Sequence, residues 1–475
     1  MPDSPALQAV TFPALDLGRL TPLVGASRME EVHDMAARVR GLLDGRRVLN
    51  VNSTAHGGGV AEMLHTLLGY VRHLGIEVEW LVIAGDREFF TVTKRIHNGL
   101  YGGPGDGLEL GSSAHAVYES TLAASSASLP DHVRPGDVVI VHDPQPAGLI
   151  PALRDLGALV VWRCHVGVDR ANEWSDRAWD FLRPYLEGAH AFVFSRRAFA
   201  PAWVDSHRLA AIAPSIDPFS AKNGNLAPDD VISLLTAAGL VSPDSAGPTA
   251  RPIGPAAVLR EGGPPDPTTP LVVQVSRWDR MKDMPGVLAG FVEGVSRETG
   301  AHLVLAGPAL DGVDDDPEAV EVWRETVSLW NGLPVRDRAR AHLASIPMHD
   351  LAENALVVNA LQRHASVVVQ KSLAEGFGLT VAEAMWKSRP VVASAVGGIV
   401  DQIVDGETGL LHGPYDLAAF AAHVNALLES PAEAARLGTH ARARVTERFL
   451  ADRHLLEHAE LLERLLADRT AEQRG

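Results

Sequence analysis

The feature that most constrains the fold is an alternation, sustained over most of the chain, between short runs of β-branched residues and longer stretches with apolar residues at helical spacing. A strand buried on both faces reads as a continuous Val/Ile/Leu run, and a helix must carry the chain back before the next parallel strand can start. The rhythm therefore predicts βα units and parallel sheets, an α/β fold. In the first half the runs are "RRVLNVN" (46–52), "VEWLVIA" (78–84), "DVVIVHD" (137–143), "LVVWRCH" (159–165) and "AFVFS" (191–195). A second series comprises "PLVVQVS" (270–276), "AHLVLAG" (301–307), "SVVVQ" (366–370) and "RPVVASAVGG" (389–398). Two Rossmann-like, doubly wound domains are expected, since 475 residues exceed what one hydrophobic core serves. The boundary is predicted just after "PSIDP" (214–218). That gives an N-terminal domain over 1–217, a C-terminal domain over 218–455 and a closing helix over 456–475. Residues 242–270, rich in Pro and Gly, read as a long mobile loop near the junction. Ser430 and Pro431 read as the N-cap and first position of the terminal helices.

Composition narrows the function classes. A single cysteine, Cys164, rules out an internal disulfide and any zinc site built from cysteines. No apolar run reaches the roughly 18 residues of a membrane span, and "MPDSPALQAV" lacks the basic and apolar regions of a signal peptide, so a cytoplasmic protein is expected. The net charge of −17 disfavours nucleic acid and anionic membranes as partners. An anionic small ligand would need a basic pocket of its own.

Several motifs lie where strands end. "VNSTAHGGGVAEML" (51–64) passes from a strand through Gly57, Gly58 and Gly59 into a helix expected near Val60. Bare amides at a helix N-terminus attract phosphate, although a tight turn alone would also use glycine. The spacing does not match G-x-G-x-x-G, so a dinucleotide site is not indicated. "VSRWDRMKD" (275–283) puts Arg277 and Lys282 at a strand exit, either as a solvated surface pair or as two cations for one phosphate group. In "EGFGLTVAEAMW" (375–386), Glu375 and Glu383 flank a turn whose amides at Gly376, Phe377, Gly378 and Leu379 are open to hydroxyl or phosphate oxygens. "VHDPQPAGL" and "WRCHVGVD" place His142, Asp143 and His165 at the C-terminal ends of two strands, the edge where open α/β sheets bind ligands. Cys164 and His165 make a poor dyad, because neighbouring strand residues point to opposite faces. "YGGPGDG" (101–107) reads as a flexible loop, and Asp314–Asp316 as an acidic helix entry rather than a metal site.

Taken in order, these stretches resemble the retaining GT-B glycosyltransferases of family 4 type, in particular the trehalose-forming members. The matches run from residue 51 to about residue 410 and include "PSIDPFSAKN" and "VGGIVDQIVDGETG". The resemblance implies two Rossmann-like domains facing a central cleft, and transfer of glucose from ADP-glucose or UDP-glucose to free glucose with retention. It implies that Arg277 and Lys282 grip the donor diphosphate, with Glu375 and the amides of residues 376–379 on the donor glucose and Glu383 on the ribose. The glycines would approach the phosphates, His165 the transferred sugar, and Asp143 the acceptor. No metal or other cofactor is implied, and a homodimer is the expected assembly. The alternatives are a trehalose phosphorylase, another family 4 glycosyltransferase with a different acceptor, and a catalytically silent sugar- or nucleotide-binding module on the same scaffold. The chain departs from the pattern at Val400-Asp401, where a basic residue is expected.

Overall fold

The computed structural model describes residues 7–55, 58–243, 253–310 and 317–472. The chain forms two compact units, Met1–Ser215 with Phe449–Gly475, and Ile216–Arg448.

The first unit is built on a seven-stranded sheet of β1 (Leu7–Ala9), β2 (Val48–Asn52), β3 (Val78–Ile83), β4 (Val138–His142), β5 (Leu159–Cys164), β6 (Ala191–Phe194) and β7 (Leu209–Ala211). Its order is β1-β3-β2-β4-β5-β6-β7, parallel except for β1 against β3. The β-branched runs are explained by burial on both faces. Val139, Val141, Val160 and Trp162 enter one apolar cluster, while Val138, Ile140, Leu159 and Val161 enter another on the opposite side.

The second unit repeats the plan with β8 (Ala257–Leu259), β9 (Leu271–Val275), β10 (His302–Pro308), β11 (Ala341–Ile346), β12 (Val367–Gln370), β13 (Val391–Ser394) and β14 (Leu410–His412). The order is β14-β13-β12-β9-β10-β11-β8, parallel except for β8 against β11. Strand β8 lies inside the segment expected to be loop throughout, and pairs Leu259 with Leu343. Residues 244–252 of that segment lie outside the described residues.

The division of the chain differs from the one expected at its C-terminal end. The helix Pro431–Arg448 closes the second unit, and the helix Ala451–Glu472 then returns to the first rather than starting at 456 as a separate element. Packing is the reason: Leu461, Leu462, Leu465 and Leu466 share one apolar cluster with Val48, Ile140 and Val161 of the first sheet and with Val39 of the helix Ala26–Leu43. Each buried leucine contributes about 1.5–3 kcal/mol. Arg453 fixes the helix start by donating from Nη1 to the Ala213 carbonyl (2.8 Å) and from Nη2 to the Pro214 carbonyl (3.0 Å). Among the described residues no helix is long and apolar enough to cross a membrane.

Leu466→Ala is expected to cost the first unit about 2–5 kcal/mol through lost burial and a residual cavity. The measurement is its denaturant midpoint, and an unshifted midpoint would show that this helix does not complete the first core.

Candidate active site

In the second unit, two loops leave adjacent strands. After β9 come Arg277 and a short 3-10 turn, Arg280–Lys282, whose N-cap Asp279 accepts from the Met281 amide at 2.8 Å. After β12 comes the loop that holds Glu375, which leads to the helix Leu379–Trp386. The loops are stitched by Gln274. Its amide donates to the Lys282 carbonyl at 2.7 Å and its Oε1 accepts from the Lys371 amide at 2.9 Å, while Leu373 N–H donates to the Met281 carbonyl at 2.8 Å.

This stitching brings Lys282 Nζ to 2.6 Å from Glu375 Oε2, which also accepts from Ser372 Oγ at 3.1 Å. Both side chains are largely covered. Arg277 is placed differently: its side chain is 54% exposed and Nη2 reaches Asp279 Oδ2 at 3.1 Å. A third cation, Lys371, is buried against Asp283, the αL residue that caps the helix Met284–Gly294 through the Gly286 amide at 3.1 Å.

Glu383 is buried on the helix Leu379–Trp386, with Lys222 Nζ 3.9 Å from Oε1. One turn on, buried Lys387 donates to Asn223 Oδ1 (3.0 Å), Gln362 Oε1 (2.8 Å) and the Glu383 carbonyl (3.1 Å). Burial pushes its ammonium down to about 7, and the Glu383 charge opposes that shift. The turn before the helix is held from behind. Gln402 Nε2 donates to the Phe377 and Gly378 carbonyls, and a Cβ on Gly397, at φ +50°, would lie 1.6 Å from the Glu375 carbonyl oxygen. Gly378 is itself the N-cap, at φ +87°, so the amides that follow it open the helix. Where a basic residue was expected, at Val400-Asp401, Arg444 instead reaches in from Pro431–Arg448. It donates to the Asp401 carbonyl at 2.7 Å and the Gln402 carbonyl at 2.6 Å.

In the first unit, the helix after β2 starts at Gly58, two residues before the expected Val60. Gly58 has φ +79°, the left-handed region that favours glycine, and among the described residues nothing lies within 4 Å of where a Cβ would sit. Gly59 is the second residue of that helix, and Gly57 lies outside the described residues, as do Asp314–Asp316. The loop is anchored through Asn52, whose Nδ2 donates to the Thr54 carbonyl at 2.7 Å and whose Oδ1 accepts from Trp80 Nε1 at 2.8 Å.

Strands β4 and β5 bring His142, Asp143 and His165 together. Asp143 turns the chain at φ +63°, and its Oδ1 accepts from the His165 amide at 2.7 Å. Burial holds its carboxyl up to about 7, against the opposing pull of that amide and of Arg163. His142 Nδ1 lies 3.2 Å from His165 Nε2 with the rings stacked, and His142 Nε2 lies 2.9 Å from Asn50 Oδ1. Arg163 Nε donates to His165 Nε2 at 3.2 Å. Cys164 points the other way, buried in the apolar cluster with its thiol donating to the Val166 carbonyl and its pKa pushed up by burial. The 101–107 loop, expected to be flexible, is pinned by a two-point pair from Arg95 Nε and Nη2 to Asp106, at 2.6 and 2.8 Å. Among the described residues no three His, Cys, Asp or Glu side chains gather as metal ligands.

Sequence reasoning missed Asn50, Arg163, Lys222, Lys371 and Lys387. Lys371 is revealed by the adjacency of β9 with β12, Asn50 and Arg163 by that of β2 with β4 and of β4 with β5, and Lys222 and Lys387 by the packing of residues 222–223 against the helix Leu379–Trp386.

The family model "Trehalose synthase, N-terminal domain" matches residues 50–201, and "Glycosyl transferases group 1" matches residues 349–444. The trehalose synthase of Rubrobacter xylanophilus is 36% identical over 441 residues, which cover 92% of this chain and 94% of the relative. The chain belongs to the trehalose synthase family of GT-B glycosyltransferases. A trehalose phosphorylase of Pleurotus pulmonarius is 26% identical over 419 residues, 83% of this chain and 54% of the relative. Anabaena Alr3699/HepE, solved in complex with UDP and glucose, matches in fold alone, with a TM-score of 0.61, 15% identity, and coverage of 88% of this chain and 99% of that one. The two constellations differ in charge: cations paired with carboxylates lie at the strand ends of the second sheet, and two uncharged histidines beside Arg163 lie at those of the first.

Gly397→Ala would drive a methyl group into the Glu375 carbonyl. It is expected to lower stability by about 1–3 kcal/mol through overpacking and to separate Lys282 from Glu375. Denaturant unfolding and a crystal structure of the variant test both, and an intact 2.6 Å pair would refute the second.

Proposed function

We propose that the chain is a retaining glucosyltransferase that joins glucose from ADP-glucose or UDP-glucose to the anomeric hydroxyl of free glucose, forming α,α-trehalose. The observation that carries the reading is the Lys282–Glu375 pair, held at 2.6 Å between the loops after β9 and β12 and accompanied by the exposed guanidinium of Arg277. A departing nucleoside diphosphate needs positive charge where its phosphates separate from the sugar, and two fixed cations supply it without a metal ion. Glu375 keeps Lys282 extended before the donor arrives, so little reorganisation is left for the reaction itself. In this reading the amides of Gly376 to Leu379 hold the donor sugar, Glu383 takes the ribose hydroxyls, and Gly57 to Gly59 admit the phosphates. His165 meets the transferred glucose and Asp143 the acceptor. The acceptor attacks from the face the phosphate leaves, and the departing phosphate oxygen takes its proton, so no protein carboxylate acts as nucleophile.

A phosphorylase, which would use the same cations for inorganic phosphate, is the second reading, favoured by the similarity to the Pleurotus pulmonarius protein. Thermal shifts separate the two: stabilisation by nucleoside diphosphate supports the synthase, and stabilisation by phosphate alone supports the phosphorylase.

Incubation of ADP-glucose or UDP-glucose with glucose and a metal chelator is expected to yield α,α-trehalose, and failure with every nucleotide donor would end this reading. Lys282→Ala is expected to lower kcat by about 10²–10³ while the fold is kept; near-normal turnover would remove Lys282 from leaving-group stabilisation.

With its carboxyl held up to about 7, Asp143 gains its charge, and with it full capacity to accept from acceptor hydroxyls, as pH rises through that value. The KM for glucose is therefore expected to fall between about pH 6 and 8, and Asp143→Asn to flatten the profile. An unchanged slope in the variant would assign the titration to another group.

A further inference from the structure

Behind His165 lies a series of buried polar side chains whose hydrogen-bond roles follow from one fixed end. Arg163 is 1% exposed, and although burial pulls its guanidinium down to about 10, it remains a cation and only a donor at neutral pH. Its Nε–H points at His165 Nε2, so that nitrogen must offer a lone pair.

Burial first, and then the Arg163 charge, holds both His165 and His142 well below the ordinary imidazole range; His458 on the C-terminal helix acts in the same direction. Each ring is therefore neutral and carries one proton. The proton of His165 must sit on Nδ1. His142 Nδ1 stands 3.2 Å from the same His165 Nε2, where two lone pairs would repel, so His142 Nδ1 carries the hydrogen and donates it. Two donors sharing one lone pair accounts for both contacts being as long as 3.2 Å.

His142 Nε2 is left as an acceptor, yet it stands 2.9 Å from Asn50 Oδ1, a second acceptor, while Asn50 Nδ2 is buried with no hydrogen-bond partner among the described residues. The amide must then present its NH2 group there and turn its carbonyl oxygen the other way, an orientation that the network decides. The turned oxygen has a use. Asn50, Arg163 and His454 line one apolar cavity of about 100 Å³, and Arg163 Nη1 is buried with no hydrogen-bond partner among the described residues. Turning the amide leaves an acceptor rather than a second orphaned N–H among the groups that line that cavity.

We propose that Arg163, His142 and Asn50 are positioning residues that lock His165 in its Nδ1–H tautomer, so that it offers the transferred glucose a hydrogen-bond donor and not a base. The inference rests on the assignment of His165 to the sugar site made under the proposed function. It adds a consequence: with Nε2 occupied and Nδ1 protonated, His165 has no lone pair for the acceptor's proton, which leaves that task to the departing phosphate oxygen.

Neutron diffraction from the deuterated full-length protein tests the relay without any substrate. Deuterium is expected on Nδ1 of both His142 and His165, with the Asn50 ND2 group facing His142; deuterium on His165 Nε2 would overturn the proposal. Kinetics provide a second arm. In His142→Asn the side-chain amide can still donate from near the Nδ1 position, whereas His142→Leu cannot. The asparagine variant is expected to exceed the leucine variant in kcat by about tenfold or more, the usual cost of losing an orienting partner, with similar KM for the donor. Equal kcat values in two folded variants would overturn the relay, and the neutron maps decide it if the leucine variant does not fold. If the wild type forms no trehalose while the deuterium positions are as expected, the functional reading fails and the tautomer assignment stands.

Discussion

The chemistry of this chain is placed by the points at which its parallel sheets reverse direction. In the first sheet β2 connects to β3 on one side and β4 to β5 on the other, so β2 and β4 are neighbours whose connections diverge. In the second, β9 leads to β10 and β12 to β13, and β9 and β12 are neighbours in the same sense. Because crossovers are right-handed, the helices that follow such a pair lie on opposite faces, and the loops part at the C-terminal edge to leave a crevice. Apart from Lys222, which comes from the segment ahead of β8, the groups expected at the site lie on or follow one of these four strands, or β5 beside them. The glycines follow β2, His142 and Asp143 end β4, Arg277 and Lys282 follow β9, and Ser372 and Glu375 follow β12. The Lys282–Glu375 pair spans the second crevice, so it depends on a topology fixed by strand order rather than on sequence proximity.

That origin gives a protein with a net charge of −17 a local cationic setting for the anionic donor proposed above. Arg277, Lys282 and Lys371 lie at the second crevice and Lys222 beside Glu383, each with a carboxylate next to it. Buried pairs of this kind add little net stability, since desolvation takes back most of the attraction. Their value lies in geometry. A lysine carries about 2 kcal/mol of side-chain conformational entropy, and a partner that has already removed it leaves more of any ligand's binding energy for the reaction.

The sequence was readable where one residue class dominates a segment. Strands with two buried faces showed as unbroken apolar runs, and the strand-end motifs were visible because glycine, histidine and acidic residues interrupt those runs abruptly. Strand β11 was missed because "AHLASI" buries His342 and Ser345 inside the sheet and so lacks a β-branched run. The edge strands β1, β7, β8 and β14 are three residues each, too short for any periodicity. The return of the last helix was hidden for a different reason. Its leucines announce an apolar face but not which sheet that face covers, and the answer lies in Val39, Val48, Ile140 and Val161, hundreds of residues earlier. Asn50 and Arg163 were hidden because each sits within a strand that reads as core.

The two units solve different electrostatic problems, and the contrast fits glucosyl transfer. A pyrophosphate leaving group gains charge as it departs, which favours fixed cations, and the second unit supplies them. The sugar ring moves towards an oxocarbenium-like state and becomes positive. A protonated imidazole about 4 Å away would raise the energy of that state by roughly 4 kcal/mol at an effective dielectric constant of 20. In the proposed reaction the first unit would avoid this, because burial keeps His142 and His165 as neutral rings, and Asp143 and Glu457 oppose the desolvation of Arg163. Burial that would be a liability for a charged group here keeps the histidines as uncharged hydrogen-bonding partners. The apolar packing of the C-terminal helix, which seals His142 and Arg163 from water on one side, thereby becomes part of the chemistry rather than only of the fold.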